Sequence, residues 1–71
     1  MEHFKSVCTL SNTTYRVGEK LGIPTTEVSD ISIGWDDEQL LVAVWTKEDE
    51  YHDEVLHILI PYHAVELLVK S

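Results

Sequence analysis

Two apolar runs, Leu40-Leu41-Val42-Ala43-Val44-Trp45 and Val55-Leu56-His57-Ile58-Leu59-Ile60, stand either side of an acidic segment over residues 47–54. Successive side chains of an extended strand point to opposite faces, so a run that is apolar at every position presents apolar surface on both. Strands of that kind are covered on two sides. A chain of 71 residues is expected to form one domain, residues 1–71, and to remove only about 60% of its unfolded surface from water, enough to cover one face. The other face is expected to meet a second copy, with Leu41, Ala43, Trp45, Val55, His57 and Leu59 at the oligomer interface.

No internal staple offsets the small size. The single Cys8 has no partner for a disulfide and no companion for a zinc-type pair, which leaves self-association as the source of extra burial. A lone reduced Cys suits the cytosol. The start, Met1-Glu2-His3-Phe4-Lys5, carries an early acid and no apolar stretch of signal-peptide length, and nothing later approaches about 18 unbroken apolar residues. The expected location is the cytoplasm, with no membrane partner. Asn12-Thr13-Thr14 matches a glycosylation acceptor in form, but without an export signal it reads as a polar turn.

The net charge is −8, unevenly spread. Residues 1–20 set Lys5, Arg16 and Lys20 against Glu2 and Glu19, whereas residues 21–71 set Lys47 and Lys70 against eleven acids. Nucleic-acid binding draws its affinity from Lys and Arg on phosphates, so DNA and RNA are disfavoured partners.

The pattern along the chain is mostly strand. Phe4–Leu10 alternates and gives way to Ser11-Asn12-Thr13-Thr14, whose side chains bond to nearby backbone and favour a turn. Tyr15–Leu21 is expected to return as its partner strand, broken by Gly22-Ile23-Pro24. In Val28–Trp35, the apolar Ile31, Ile33 and Trp35 alternate with Asp30, Ser32 and Gly34, as in a half-buried strand. Asp36-Asp37-Glu38-Gln39 turns the chain into Leu40–Thr46, residues 47–54 form a solvated loop, and Val55–Ile60 stops at Pro61. Val65, Leu67 and Val69 then alternate as a final strand, although Val65, Leu68 and Val69 also meet helical spacing, which keeps a short C-terminal helix as the alternative. The fold class is mainly β: a small antiparallel sheet or SH3-like barrel of five to six strands, in which closure hides edges that would otherwise pair without limit.

Leu59-Ile60-Pro61-Tyr62-His63-Ala64-Val65-Glu66-Leu67-Leu68 resembles the end of SH3-like small barrels, including the PRC-barrel type, in which a strand, a single 3₁₀ turn and a closing strand follow one another. The resemblance implies a fold and no activity, because barrels of this size serve many functions. The remainder lacks the aromatic row of a domain that binds Pro-rich peptides, so that activity is not carried over.

Catalysis is not expected. A nucleophile beside a base, or paired carboxylates in a cleft, leaves no recognisable pattern here, and Cys8 reads as a small residue buried on a strand. No cofactor is expected. His52, His57 and His63 fall within twelve residues with Asp49 and Asp53 nearby, a set that zinc accepts. A strand would point His57 away from His52, so these read as structural and no metal site is assigned. The loop lacks the Gly-containing pattern of a calcium hand.

Two binding functions fit what remains. The first is an oligomer that sequesters an anionic, nucleotide-like small molecule in pockets between subunits. Arg16 and Lys20 would supply charge, Tyr15 and Trp35 stacking surfaces, and Asn12, Thr13 and Thr14 orienting groups. The second is an acidic protein inhibitor whose clusters at 36–38 and 48–54 imitate a nucleic-acid backbone and block a basic groove of a host protein. In size, acidity and lack of a catalytic signature the chain resembles the small accessory proteins that bacteriophages use against host defence. That likeness of type implies a non-enzymatic binder in the host cytoplasm, and the first function is ranked ahead of the second.

Overall fold

The computed structural model describes residues 2–22 and 25–71 and shows a mainly β fold, an antiparallel sheet of seven strands curled into a half-barrel. The strands are β1 (His3–Thr9), β2 (Thr14–Arg16), β3 (Lys20–Leu21), β4 (Thr26–Asp36), β5 (Gln39–Lys47), β6 (Val55–Pro61) and β7 (Val65–Lys70). One 3₁₀ turn, Tyr62–Ala64, joins β6 to β7. The sheet runs β2-β1-β4-β5-β6, with β7 added to β1 and β3 to β4. The strand reading of the C-terminus therefore holds, and β7 pairs along β1 from Phe4↔Lys70 to Thr9↔Val65.

The segment Tyr15–Leu21, expected as one partner strand, is two, which raises the strand count above five or six. Glu19 N–H donates to Arg16 C=O at 3.0 Å, and Gly18 sits inside that turn at φ +94°, a conformation L side chains rarely adopt. Before the turn, Arg16 and Tyr15 pair with β1; after it, Lys20 and Leu21 pair with β4. Gly18 thus hands the chain from one strand to the next. Of the expected break at Gly22-Ile23-Pro24, the last two residues lie outside the described residues.

Two further turns set the register. At the β1–β2 hairpin, Thr9 is the anchor: its C=O accepts from Asn12 N–H at 3.0 Å and its hydroxyl oxygen from Thr13 N–H at 3.1 Å, with Asn12 at φ +69°. The strand ends there, and Leu10 is 64% exposed rather than part of the apolar side. Between β4 and β5, Asp36 pairs with Gln39, which leaves Asp37 and Glu38 as a two-residue turn at φ +47° and +68°. Two positive φ values are the geometry that follows the natural twist of a hairpin.

The core fills the inside of the curl with Phe4, Val7, Val28, Ile31, Val42, Val44 and Ile60, and Tyr15, Leu21, Ile33, Ala64, Val65 and Leu68 pack at its margin. Trp35 lies beyond that core and is 71% exposed. On the other face of β5, Leu41 is buried while Ala43 and Trp45 are half-buried. The apolar surplus is concentrated on β6, an edge strand whose Val55, Leu56, Ile58 and Leu59 are all exposed.

Candidate functional site

The β4–β5 hairpin builds a hollow on its outer face. Its two-residue turn fixes Asp30↔Trp45, Ser32↔Ala43 and Gly34↔Leu41 as neighbours, all on the face away from the core. Gly34 carries no side chain, and a Cβ placed there would meet nothing within 4 Å, so the floor lies open. The result is a hollow of about 380 Å³ bounded by Trp45, Ala43, Gly34 and Ser32, with Asp30 and Glu54 as its charged groups. That size falls within the usual range of small-molecule sites.

Each carboxylate is held by one bond and keeps an oxygen to spare. His3 Nδ1 donates to Asp30 Oδ1 at 2.9 Å, and the Ser29 hydroxyl donates to Glu54 Oε2. No Lys or Arg lines the space. A second hollow, at the far end of β4 and β5, sets Lys20 and Lys47 against Glu27, Glu48, Asp49 and Glu50, and a third holds Glu48, Asp53 and His52. All three contain carboxylates. Among the described residues no group of three or more His, Cys, Asp or Glu is placed to hold a metal ion.

The residues named for an anionic ligand separate into three places. Asn12, Thr13, Thr14, Tyr15 and Arg16 follow one another through the β1–β2 hairpin, where Arg16 is exposed and forms no ion pair among the described residues. Lys20 is engaged with Glu27 at 3.1 Å. Trp35 stands eight residues along β4 from Glu27, roughly 26 Å at strand spacing. Even within the hairpin the residues divide, since Tyr15 pairs with core Val7 and packs at the core margin while Thr14 and Arg16 take the other face; Lys20 and Trp35 stand apart from both.

The residues named for self-association divide as well. Leu41 is buried, Ala43 and Trp45 line the hollow, and Val55, His57 and Leu59 are exposed on β6. A bulge between Val44 and Trp45 in the β5–β6 pairing puts His57 out of alternation with Leu59. Its ring instead meets Tyr15 edge-on, with centroids 5.7 Å apart and planes at 67°, across the mouth of the curl.

The acidic loop between β5 and β6 is organised around Asp49. Its Oδ1 accepts from His52 Nδ1 at 2.7 Å and from Tyr51 N–H at 2.8 Å. The His52 bond, then the Tyr51 bond, hold the Asp49 carboxyl below its ordinary value, and the same Asp49 bond, with the Asp49 and Glu48 charges, raises His52. His52 is thereby committed to its own loop, while His57 faces Tyr15. The clusters at 36–38 and 48–54 sit at opposite ends of β5.

Asp30, Ser32 and Glu54 are the hollow's residues that sequence reasoning passed over. Alternation assigns Asp30 and Ser32 to the solvated side of a half-buried strand, yet Ser32 is 6% exposed. The signal that could have found them is the register of a two-residue turn at Asp37-Glu38, which sets Asp30 beside Trp45.

No protein-family model, curated protein or solved structure matches the chain. No helix among the described residues is long and apolar enough to cross a membrane.

Proposed function

We propose that the protein is a non-enzymatic acidic binder that covers a basic surface of another protein, in the manner of a nucleic-acid mimic. The observation that carries this reading is the placement of charge: the three hollows described above all contain carboxylates, and two acidic clusters flank β5 at its two ends. Fixed like charges at intervals along a rigid strand attract a basic groove and steer its approach. The Asp37-Glu38 turn supports the same reading, because it places two acids at positive-φ positions where Asn-Gly would fit with less strain. The test is capture from cell extract by the tagged protein at low and high salt, beside a variant carrying Asp36→Asn, Asp37→Asn and Glu38→Gln. A basic protein retained at low salt, released by high salt and lost with the variant is the expected result. Equal capture by both proteins, or no salt-sensitive partner, would overturn it.

A second reading, sequestration of an anionic, nucleotide-like molecule between subunits, is favoured by one observation: Arg16 is exposed, on the same face of β2 as Thr14, and forms no ion pair among the described residues. It needs self-association, for which the exposed apolar residues of β6 offer an edge. It ranks second because Arg16 lines none of the three hollows formed by the described residues. A nucleotide panel should raise the melting temperature under this reading and leave Arg16→Ala unchanged, since a ligand at 100 times its dissociation constant adds about 2.7 kcal/mol. The absence of any shift would remove it.

A further inference from the structure

We propose that the hollow between β4 and β5 is a receptor for a guanidinium group, the side chain of an arginine on the basic partner, an inference that rests on the function proposed above. Asp30 and Glu54 supply two carboxylates, each with an oxygen left over after its bond to His3 or Ser29. Trp45 supplies an indole beside them, the best of the aromatic rings for a cation.

Ser32 points to a ligand independently of the acids. It is 6% exposed, lines the hollow, and its hydroxyl takes part in no hydrogen bond among the described residues. Among the described residues no side-chain polar atom wholly sealed from solvent lacks a partner, so this hydroxyl is open on the side of the hollow and is available to bond a group that enters it. The open floor at Gly34 lets a flat group approach the sheet closely.

Arginine suits this arrangement better than lysine. Its plane stacks on an aromatic ring, its donors fan out to reach two carboxylates and a hydroxyl together, and it sheds water more readily than an ammonium. With Asp30 and Glu54 as the only charged groups lining the hollow among the described residues, an anion is disfavoured.

The experiment titrates the full chain with acetyl-arginine methylamide, and with the lysine and citrulline analogues, while following the indole N–H signals by NMR. Trp35, exposed at the far end of β4, is the internal control. The arginine probe should shift Trp45 saturably, with a dissociation constant on the order of 1 mM, leave Trp35 in place, and outbind lysine. Citrulline, uncharged but of similar shape, should not bind. Glu54→Gln should weaken the arginine probe at least threefold with an unchanged melting temperature, and Ser32→Ala provides a second, smaller loss. Equal shifts of both indoles, equal binding of citrulline, or unaltered binding by Glu54→Gln would overturn the proposal. Capture of a basic protein without any Trp45 response would sink the hollow alone, whereas a saturable Trp45 response without any captured protein would sink the wider function alone.

Discussion

Replacing Glu38 by Gly should make the protein more stable, even though it removes a side chain and touches no core residue. Glu38 is the second residue of the two-residue turn and is held at φ +68°, next to Asp37 at φ +47°. An L residue in that region costs about 1–2 kcal/mol, from the approach of its Cβ to the following carbonyl. Glycine carries no such cost, but it gives up about 0.5–1 kcal/mol more backbone entropy on folding. The difference leaves a gain of roughly 0.5–1 kcal/mol, which for a domain of this size raises the melting temperature by about 2–8 °C. Thermal and urea denaturation followed by circular dichroism would measure it, with the urea slope expected to stay constant. Glu38→Gln separates backbone from charge, since it keeps the Cβ and removes only the carboxylate. A melting temperature that stays level or falls in Glu38→Gly, or a gain matched by Glu38→Gln, would refute the reasoning. The same Glu38→Gly variant should hold a basic partner less well while being more stable.

Ile31→Ala, at a fully buried position of β4, should cost about 2–5 kcal/mol in urea unfolding, and a loss below about 1 kcal/mol would contradict the core described above. Gly18→Ala should destabilise by about 1–2 kcal/mol through backbone strain alone, because a Cβ there meets no neighbour; an unchanged urea midpoint would refute it. The His52 ring should titrate by NMR above its ordinary 6.5 and fall back in Asp49→Asn, and no difference between the two proteins would contradict the Asp49 contact. A raised His52 contributes stability present in full below 6.5 and lost as pH rises through its folded value, and a lowered Asp49 contributes stability present above 3.8 and lost as pH falls through its folded value. The pair therefore helps most in the window between them. Leu59→Lys, on the exposed edge, should lower the mass seen by light scattering if copies associate along β6, and a mass that is unchanged from an oligomeric parent would exclude that edge.

Much of this fold could be read from alternation and turn chemistry. Ile31 and Ile33 facing the core, the acidic turn at 36–39, and the stop at Pro61 all follow from side-chain period and from residues that suit turns. The division of Tyr15–Leu21 was hidden because its apolar spacing continues across Gly18, and only a partner on each side shows that the chain changes neighbours there. The two-sided apolar character of β5 and β6 was legible, but its distribution was not. Curling of the sheet buries Leu41 and half-shelters Trp45, while the position of β6 at the edge leaves Leu56 and Leu59 outside. His57 escaped prediction because a one-residue bulge reverses the face that simple alternation assigns. The hollow required register: from Asp36↔Gln39 to Asp30↔Trp45 the paired numbers keep a constant sum, which follows once the turn is taken as two residues. Glu54 could not be placed that way, since it comes from the loop and meets Ser29 only in three dimensions.

Competition is the most direct trial of recognition by negative charge. Fluorescently labelled nucleic acid is bound to the captured basic protein, and the 71-residue chain is added while anisotropy is followed. Displacement, with anisotropy falling to that of free nucleic acid at saturating chain and failing to do so with the Asp36→Asn, Asp37→Asn, Glu38→Gln variant, is the predicted result. Anisotropy that holds steady or rises as the chain joins the complex would show that the basic groove is not what it covers.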